Sequence, residues 1–230
     1  MSNKRLLVLV PYRDRPDHLG EFAPELSYYL TEASIPFKIV VVNQHDNSPF
    51  NRAKLLNVGF LEECNKFDYT AFHDVDMLPT RPNAAYQYTE TGRQVHSPTE
   101  YSMGGISIVN NKVNWDVNGW ANSYWGWGGE DRNYFHRFVN KGIDLEETQG
   151  FRKWAWGKEH FRELEGYHDP NRKDYKKPQQ KITKNFKANP ELNDIDGLNN
   201  CNYRLLNTLD FQFYKLLNVD LLEGEQDGLR

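Results

Sequence analysis

Three short apolar runs, each closed by a cluster of polar residues, constrain this chain more than any other feature. Leu6-Leu7-Val8-Leu9-Val10 ends at Pro11 and Tyr12-Arg13-Asp14-Arg15; Phe37 to Val42 ends at Asn43-Gln44-His45-Asp46. Tyr69-Thr70-Ala71-Phe72-His73 ends at Asp74-Val75-Asp76. Runs of this kind read as buried strands. Between the first two, Leu19, Phe22, Leu26, Tyr29, Leu30 and Ala33 recur at helical spacing behind Pro16, a residue suited to a first helical turn. Pro24 lies inside that pattern and predicts a kink or a late start. Ala53 through Cys64 reads as a second helix. Alternating strand and helix predict a parallel α/β sheet, with ligands beyond the carboxyl ends of the strands. The polar clusters stand at those ends.

Further along, Glu130 to Lys141 is helical, with Tyr134, Phe135, Phe138 and Val139 on one side and Gly142 as a stop. Phe151 to Lys187 is charged and aromatic without clear period and reads as a long irregular loop with short helices, a length typical of functional lids. Asn202 to Leu209 and Gln212 to Leu221 resemble a closing β-hairpin, and the tail from Glu223 reads as frayed. No internal repeat is present. The expectation is one domain over residues 1–222, which suits a chain of 230 residues.

Aromatic content of 14% against a mean hydropathy of -0.81 implies a core built partly from Tyr, Phe and Trp. A net charge of -4 and a pI near 6.0 argue against a general nucleic-acid binder. The one basic run, from Arg172 and Lys173 through Lys176, Lys177, Lys181, Lys184 and Lys187, reads as a solvated face, with phosphate contact as the sharper alternative. Cys64 and Cys201 form neither a disulfide framework nor a metal spacing. With no signal peptide, membrane-length apolar stretch or Asn-x-Ser/Thr sequon, the expected location is cytoplasmic.

The chemistry-bearing residues fall into few groups. Trp125-Gly126-Trp127-Gly128-Gly129 leads into Glu130-Asp131. Glycines permit close backbone approach, an indole face stacks on a sugar ring, and a carboxylate there takes or binds a hydroxyl proton. Acidic residues also suit a helix N-terminus, which accounts for the carboxylates but not for the tryptophans and glycines. Asp74 and Asp76 end a strand, where alternation predicts both carboxylates on one side, and read as holding a divalent cation that binds a diphosphate, with a solvated loop as the alternative. Asp194-Ile195-Asp196 follows no strand and reads as a turn. His168 is a candidate further ligand, and imidazole with carboxylate oxygens suits Mn²⁺ better than Ca²⁺. Arg13, Arg15 and Arg52 are placed to meet phosphate or a base, while Asn51 reads as a helix cap. The turn from Pro11 to Pro16 contains no glycine, which disfavours Rossmann dehydrogenases and nucleotidyltransferases with glycine-rich phosphate loops.

Pro11-Tyr12-Arg13-Asp14-Arg15, Phe50-Asn51-Arg52-Ala53-Lys54, Phe72-His73-Asp74-Val75-Asp76, Gly104-Gly105-Ile106-Ser107 and Trp125 to Asp131 occur in the order found in the β-1,4-galactosyltransferase family. His168-Asp169-Pro170 and Gly197-Leu198-Asn199 continue the series. The chain resembles that family over nearly its whole length, and most of all the branch that adds galactose to xylose in the proteoglycan linker. The resemblance implies a GT-A fold: a Rossmann-like mixed sheet with flanking helices and a long lid loop. It implies inverting transfer of galactose from UDP-galactose to a sugar hydroxyl. On that pattern Pro11, Arg13, Arg15, Phe50 and Arg52 hold uridine and diphosphate, with Asp74, Val75 and Ser102 also at the donor. Asp76 and His168 ligate Mn²⁺. Trp127 touches the donor and moves with the lid, and Asp131 is the general base. Glu130 binds the acceptor, between Gly129 and Arg132.

Three positions depart from the pattern. The family's further metal ligand falls at Gly166 or Glu165, of which only Glu165 has a ligating side chain. Arg132 replaces an aspartate at the acceptor. Ser102 stands where galactose-specific members carry tyrosine and leaves room for the C2 substituent of UDP-GalNAc, the alternative donor. A metal-dependent nucleotidyltransferase and a weakly active carbohydrate-binding domain are the competing classes.

Overall fold

The computed structural model describes residues 4–80, 85–97, 99–146, 160–165 and 173–223. Seven strands form the main sheet in the order β5-β6-β3-β1-β2-β9-β8. Their ranges are β1 Leu6–Tyr12, β2 Phe37–Gln44, β3 Tyr69–His73, β5 Gly92–His96, β6 Ile106–Asn110, β8 Arg204–Asp210 and β9 Lys215–Asp220. β1 pairs in parallel with both β2 and β3, and β9 joins β2 in parallel. β6, β5 and β8 are antiparallel to their neighbours. The sheet is therefore mixed. The apolar runs foresaw its parallel centre but not its antiparallel flanks. β4 Met77–Pro79 and β7 Phe161–Glu163 form a second, two-stranded sheet.

β1 lies at the centre because it is apolar throughout and buried from Leu6 to Pro11. α1, Pro16–Glu32, covers one face through Leu19, Phe22, Leu26 and Leu30. α2, Arg52–Glu63, covers the other with Leu55, Leu56 and Phe60, joined by Tyr134 and Phe138 of α4, Glu130–Asn140. α3 is Asn111–Asp116. The late start that Pro24 allowed does not occur, since α1 begins at Pro16. Pro24 sits in mid-helix, and the carbonyl four residues earlier, which loses its helical partner, belongs to exposed Gly20.

The described residues between 160 and 187 are more regular than expected. β7 pairs with β4, and α5, Lys176–Ala188, is a 13-residue helix that buries Gln179 and Phe186. The remainder of the expected lid lies outside the described residues. The closing hairpin forms as β8 and β9. Among the described residues no helix is long and apolar enough to cross a membrane.

Candidate functional site

The chain reverses direction across the sheet at β1: β2 lies on one side of it and β3 on the other. Such a switch point opens a crevice at the carboxyl ends of the strands. The residues that follow β1 and β3, with those opening α2, meet there. Arg15 Nη1 reaches Asp76 Oδ2 at 3.0 Å, and Arg52 Nε reaches Asp74 Oδ1 at 2.7 Å. Arg13 Nη1 donates to the Ser48 carbonyl at 2.7 Å, and its guanidinium lies 5.4 Å from the centre of the Phe50 ring. Pro11 is buried at the end of β1.

Two carboxylates in so small a volume need cations. Burial, and then the charge of Asp74, raise the Asp76 carboxyl above its ordinary range, with Arg15 opposing. The expected alternation along a strand is not what places them, because β3 ends at His73 and Asp74 begins a turn. The side chain of Val75 is buried in the core, so only its backbone can face a donor. Behind the turn, His73 Nδ1 lies 2.8 Å from the Asp74 carbonyl and Nε2 lies 2.7 Å from the Tyr86 hydroxyl. A carbonyl only accepts, so the proton sits on Nδ1. Burial lowers this imidazole to about pKa 4, so it stays neutral.

Among the described residues no group of three or more acidic, His or Cys side chains could hold a metal ion. His168 lies outside the described residues, as does Gly166. The Leu164 amide donates to the Asp76 carbonyl at 2.7 Å, and Glu163 is in register with Met77. Glu165, an exposed residue, follows directly on the one bonded to Asp76. A half-buried carboxylate with raised proton affinity, balanced by one guanidinium, suits a divalent cation.

Arg52 is the pivot between this metal side and the carboxylates of α4. Its guanidinium lies 4.9 Å from the centre of the Trp120 ring. Burial opposes its charge, but Asp74, Glu130 and Asp131 outweigh that and raise its pKa. Its Nη1 and Nη2 are sealed from solvent and have no hydrogen-bond partner among the described residues; the same holds for Glu130 Oε2. Glu130 as a residue is intermediate in exposure. Burial, and next the charge of Asp131, push its carboxyl up to about 7.

A glycine turn leads into α4 and its carboxylates. Gly126 has φ +85°, and a Cβ there would lie 2.3 Å from the Tyr175 ring. Gly129 has φ +97°, and its Cβ would lie 2.8 Å from Tyr124. Both positions require glycine. The tryptophans divide the expected role. Trp125 packs into the core with Lys54 Nζ 5.5 Å from its ring centre, whereas Trp127 is 58% exposed. Glu130 and Asp131 occupy the first turn of α4, so the helix dipole contributes as well. Asp131 Oδ1 accepts from the Arg132 amide at 2.8 Å and Oδ2 from Ser102 Oγ at 2.6 Å. Arg132 is exposed.

Sequence reasoning missed the scaffold beneath. Asn57 brackets Trp120, donating to its carbonyl at 2.7 Å and accepting from its amide at 2.9 Å. Asn51 caps α2 as expected and also donates to the Asn122 carbonyl at 2.7 Å. Asp196, read as part of a turn, is fully buried after the short helix α6, Leu192–Ile195. It accepts from the Asn122 amide at 2.8 Å and Ser123 Oγ at 2.6 Å. Arg137 ties α4 to the Asp196 carbonyl at 2.6 Å. Only the density of asparagine between residues 111 and 122 signals this network in the sequence.

Residues 1–89 match the family described as the N-terminal region of glycosyl transferase group 7, and residues 87–156 the N-terminal domain of galactosyltransferase. The chain is 36% identical over 211 residues to human β-1,4-galactosyltransferase 7, covering 87% of this chain and 62% of that protein. It is 32% identical to the xylosylprotein 4-β-galactosyltransferase of Caenorhabditis elegans, covering 88% of this chain and 72% of that one. The crystal structure of a Drosophila β-1,4-galactosyltransferase 7 mutant in complex with manganese, UDP-Gal and xylobiose superposes with a TM-score of 0.80 at 28% identity, covering 95% of this chain and 94% of that one. The chain thus spans just over three-fifths of the human relative's length. The shared architecture, and the motifs that meet at its switch point, place this chain in glycosyl transferase group 7, among the β-1,4-galactosyltransferases.

Proposed function

We propose that this protein is an inverting, Mn²⁺-dependent galactosyltransferase that moves galactose from UDP-galactose to a hydroxyl of a sugar acceptor. The observation that carries this reading is the Arg52 guanidinium. It is buried beside Asp74 and Glu130, with both Nη groups lacking a partner among the described residues. A buried cation with unused donors fits an anionic ligand such as a diphosphate. The complex of the Drosophila relative with manganese, UDP-Gal and xylobiose supports the same assignment of donor, acceptor class and metal.

In this reading Arg13 and Phe50 flank the nucleotide, and Arg15 and Arg52 face the diphosphate. Asp76 holds the metal together with His168, and Glu165 is available as a further ligand. Mn²⁺, when bound, supplies charge neutralisation on the departing diphosphate. Asp131 takes the proton from the acceptor hydroxyl as that oxygen attacks the anomeric carbon from the face opposite UDP, giving a single inversion. Glu130, between Gly129 and Arg132, holds the acceptor. Trp127 covers the donor sugar, and the residues around 160–187 exclude water that would hydrolyse the donor.

UDP-GalNAc is the second donor reading. Ser102 is small, and its hydroxyl turns to Asp131, so no ring at that position closes on a C2 substituent. Cys64 and Cys201 are both thiols, in keeping with a reducing setting. The test is Mn²⁺-dependent UDP release with UDP-galactose and UDP-GalNAc, with and without xylosides. Acceptor-stimulated release with UDP-galactose is the expected result. UDP binding without turnover of any donor would favour a carbohydrate-binding domain, and pyrophosphate release from a nucleoside triphosphate would favour a nucleotidyltransferase.

A further inference from the structure

Ser102 lies on the loop between β5 and β6 and is 1% exposed. Its Oγ is 2.6 Å from Asp131 Oδ2 and accepts from the Gly104 amide at 3.2 Å. An amide only donates and a carboxylate accepts, so the single hydroxyl proton points at Asp131. From these contacts we infer that Ser102 is a positioning residue for the base, fixing the carboxylate of Asp131 in the orientation from which it meets the acceptor hydroxyl. The inference rests on Asp131 being the base.

The loop is built to hold that hydroxyl still. The Ser102 carbonyl accepts from Gln94 Nε2 at 2.6 Å and from Ser97 Oγ at 2.7 Å. The next amide, of Met103, donates to the Asp131 carbonyl at 3.1 Å. One backbone bond and one side-chain bond therefore stitch the loop to the first turn of α4. The Arg132 amide holds Oδ1 at 2.8 Å, so each Asp131 oxygen has one fixed donor and keeps a lone pair for a substrate. Hydrogen bonds to a charged acceptor are short and about twice as strong as neutral ones. A carboxylate freed to rotate loses the near-attack geometry on which proton transfer depends.

The hydroxyl also couples two properties that a pocket-lining residue would keep apart. The side chain whose size bears on the C2 substituent of the donor is the one that orients the base. Any substitution that enlarges it, Ser102→Tyr included, changes donor selection and the Asp131 contact together.

The experiment compares Ser102→Ala and Ser102→Thr with the wild type, reading kcat, KM for the donor, UDP binding with Mn²⁺, and melting temperature. Ser102→Ala is expected to lower kcat roughly tenfold to a hundredfold, the loss of one hydrogen bond to a charged group. Donor KM, UDP binding and melting temperature stay within about twofold and a few degrees of wild type. Ser102→Thr, which keeps the hydroxyl, recovers most of kcat. Wild-type kcat in Ser102→Ala overturns the inference, as does a loss of melting temperature or UDP binding in step with activity in both variants. Asp131→Asn, run in parallel, separates the two levels. If it is fully active, Asp131 is not the base. If it is inactive beside a fully active Ser102→Ala, only the positioning role is lost.

Discussion

Arg15 and Asp76, 61 residues apart in sequence, form an ion pair of 3.0 Å across the crevice between β1 and β3. If Asp76 holds the metal as proposed, Mn²⁺ and the Arg15 guanidinium would compete for the same carboxylate. Arg15→Ala is expected to tighten Mn²⁺ binding in the absence of nucleotide by roughly fivefold, about 1 kcal/mol for a half-buried pair. The same change weakens binding of UDP. Calorimetric titration with Mn²⁺ alone and then with UDP reads both, and an unchanged affinity for the metal would show that the pair does not compete.

Glu130 makes stability depend on pH. Burial, reinforced by Asp131, raises its folded carboxyl from 4.5 to about 7. Between those values the folded protein binds more protons than the unfolded chain, so stability falls as pH rises from about 4.5 and levels off above 7. Glu130→Gln removes this slope. Its stability relative to wild type should climb between pH 5 and pH 8, by an amount on the order of 1–3 kcal/mol. Thermal melts at several pH values measure it, and parallel curves would show that the carboxyl is not buried in solution.

Asp196→Ala leaves the Asn122 amide and the Ser123 hydroxyl and amide without their acceptor. Unsatisfied buried groups of this kind cost roughly 2–4 kcal/mol. The segment they hold leads directly to Trp125 and the glycine turn, so transfer activity is expected to fall faster with temperature than in the wild type. Chemical denaturation beside activity at about 15 and about 35 °C, below the range where mesophile domains melt, tests the link. A stability loss with unaltered temperature dependence of activity would confine Asp196 to global folding.

Trp127 is expected to behave in the opposite way. At 58% exposure its replacement by alanine changes stability by no more than about 0.5 kcal/mol. Its indole is the one in the glycine turn that faces outward, so KM for donor or acceptor should rise roughly tenfold, about 1.4 kcal/mol of binding, while the melting temperature holds. Steady-state kinetics with one substrate varied at a time decides between the two ligands.

The central sheet was legible because burial on both faces writes continuous apolar runs, as in β1 and β2. The polar clusters at their ends were legible because a parallel sheet places them on one rim. α5 was not. Its buried face consists of Gln179 and Phe186 with part-buried Ile182 and Thr183, among five lysines. So thin an apolar stripe barely registers as a period. The late start allowed at Pro24 does not occur for the reverse reason: local propensity counts the lost hydrogen bond, whereas Phe22, Ala23 and Leu26 hold the helix to the sheet on the side away from it. Asp196 was misread because a carboxylate in a polar stretch looks solvated until the amides it serves, 73 and 74 residues earlier, are brought to it.

By itself the sequence determined where the strands end and which polar side chains stand there, because motif order and apolar periodicity are local properties of a chain. Tertiary structure alone decided their pairing. Arg15 lies on Asp76 and Arg52 on Asp74 because β1 sits between β2 and β3, and Ser102 lies on Asp131 because the β5–β6 loop is stitched to α4. Hydrogen bonds and ion pairs act over a few ångströms, and only the folded sheet brings such distant residues within that range.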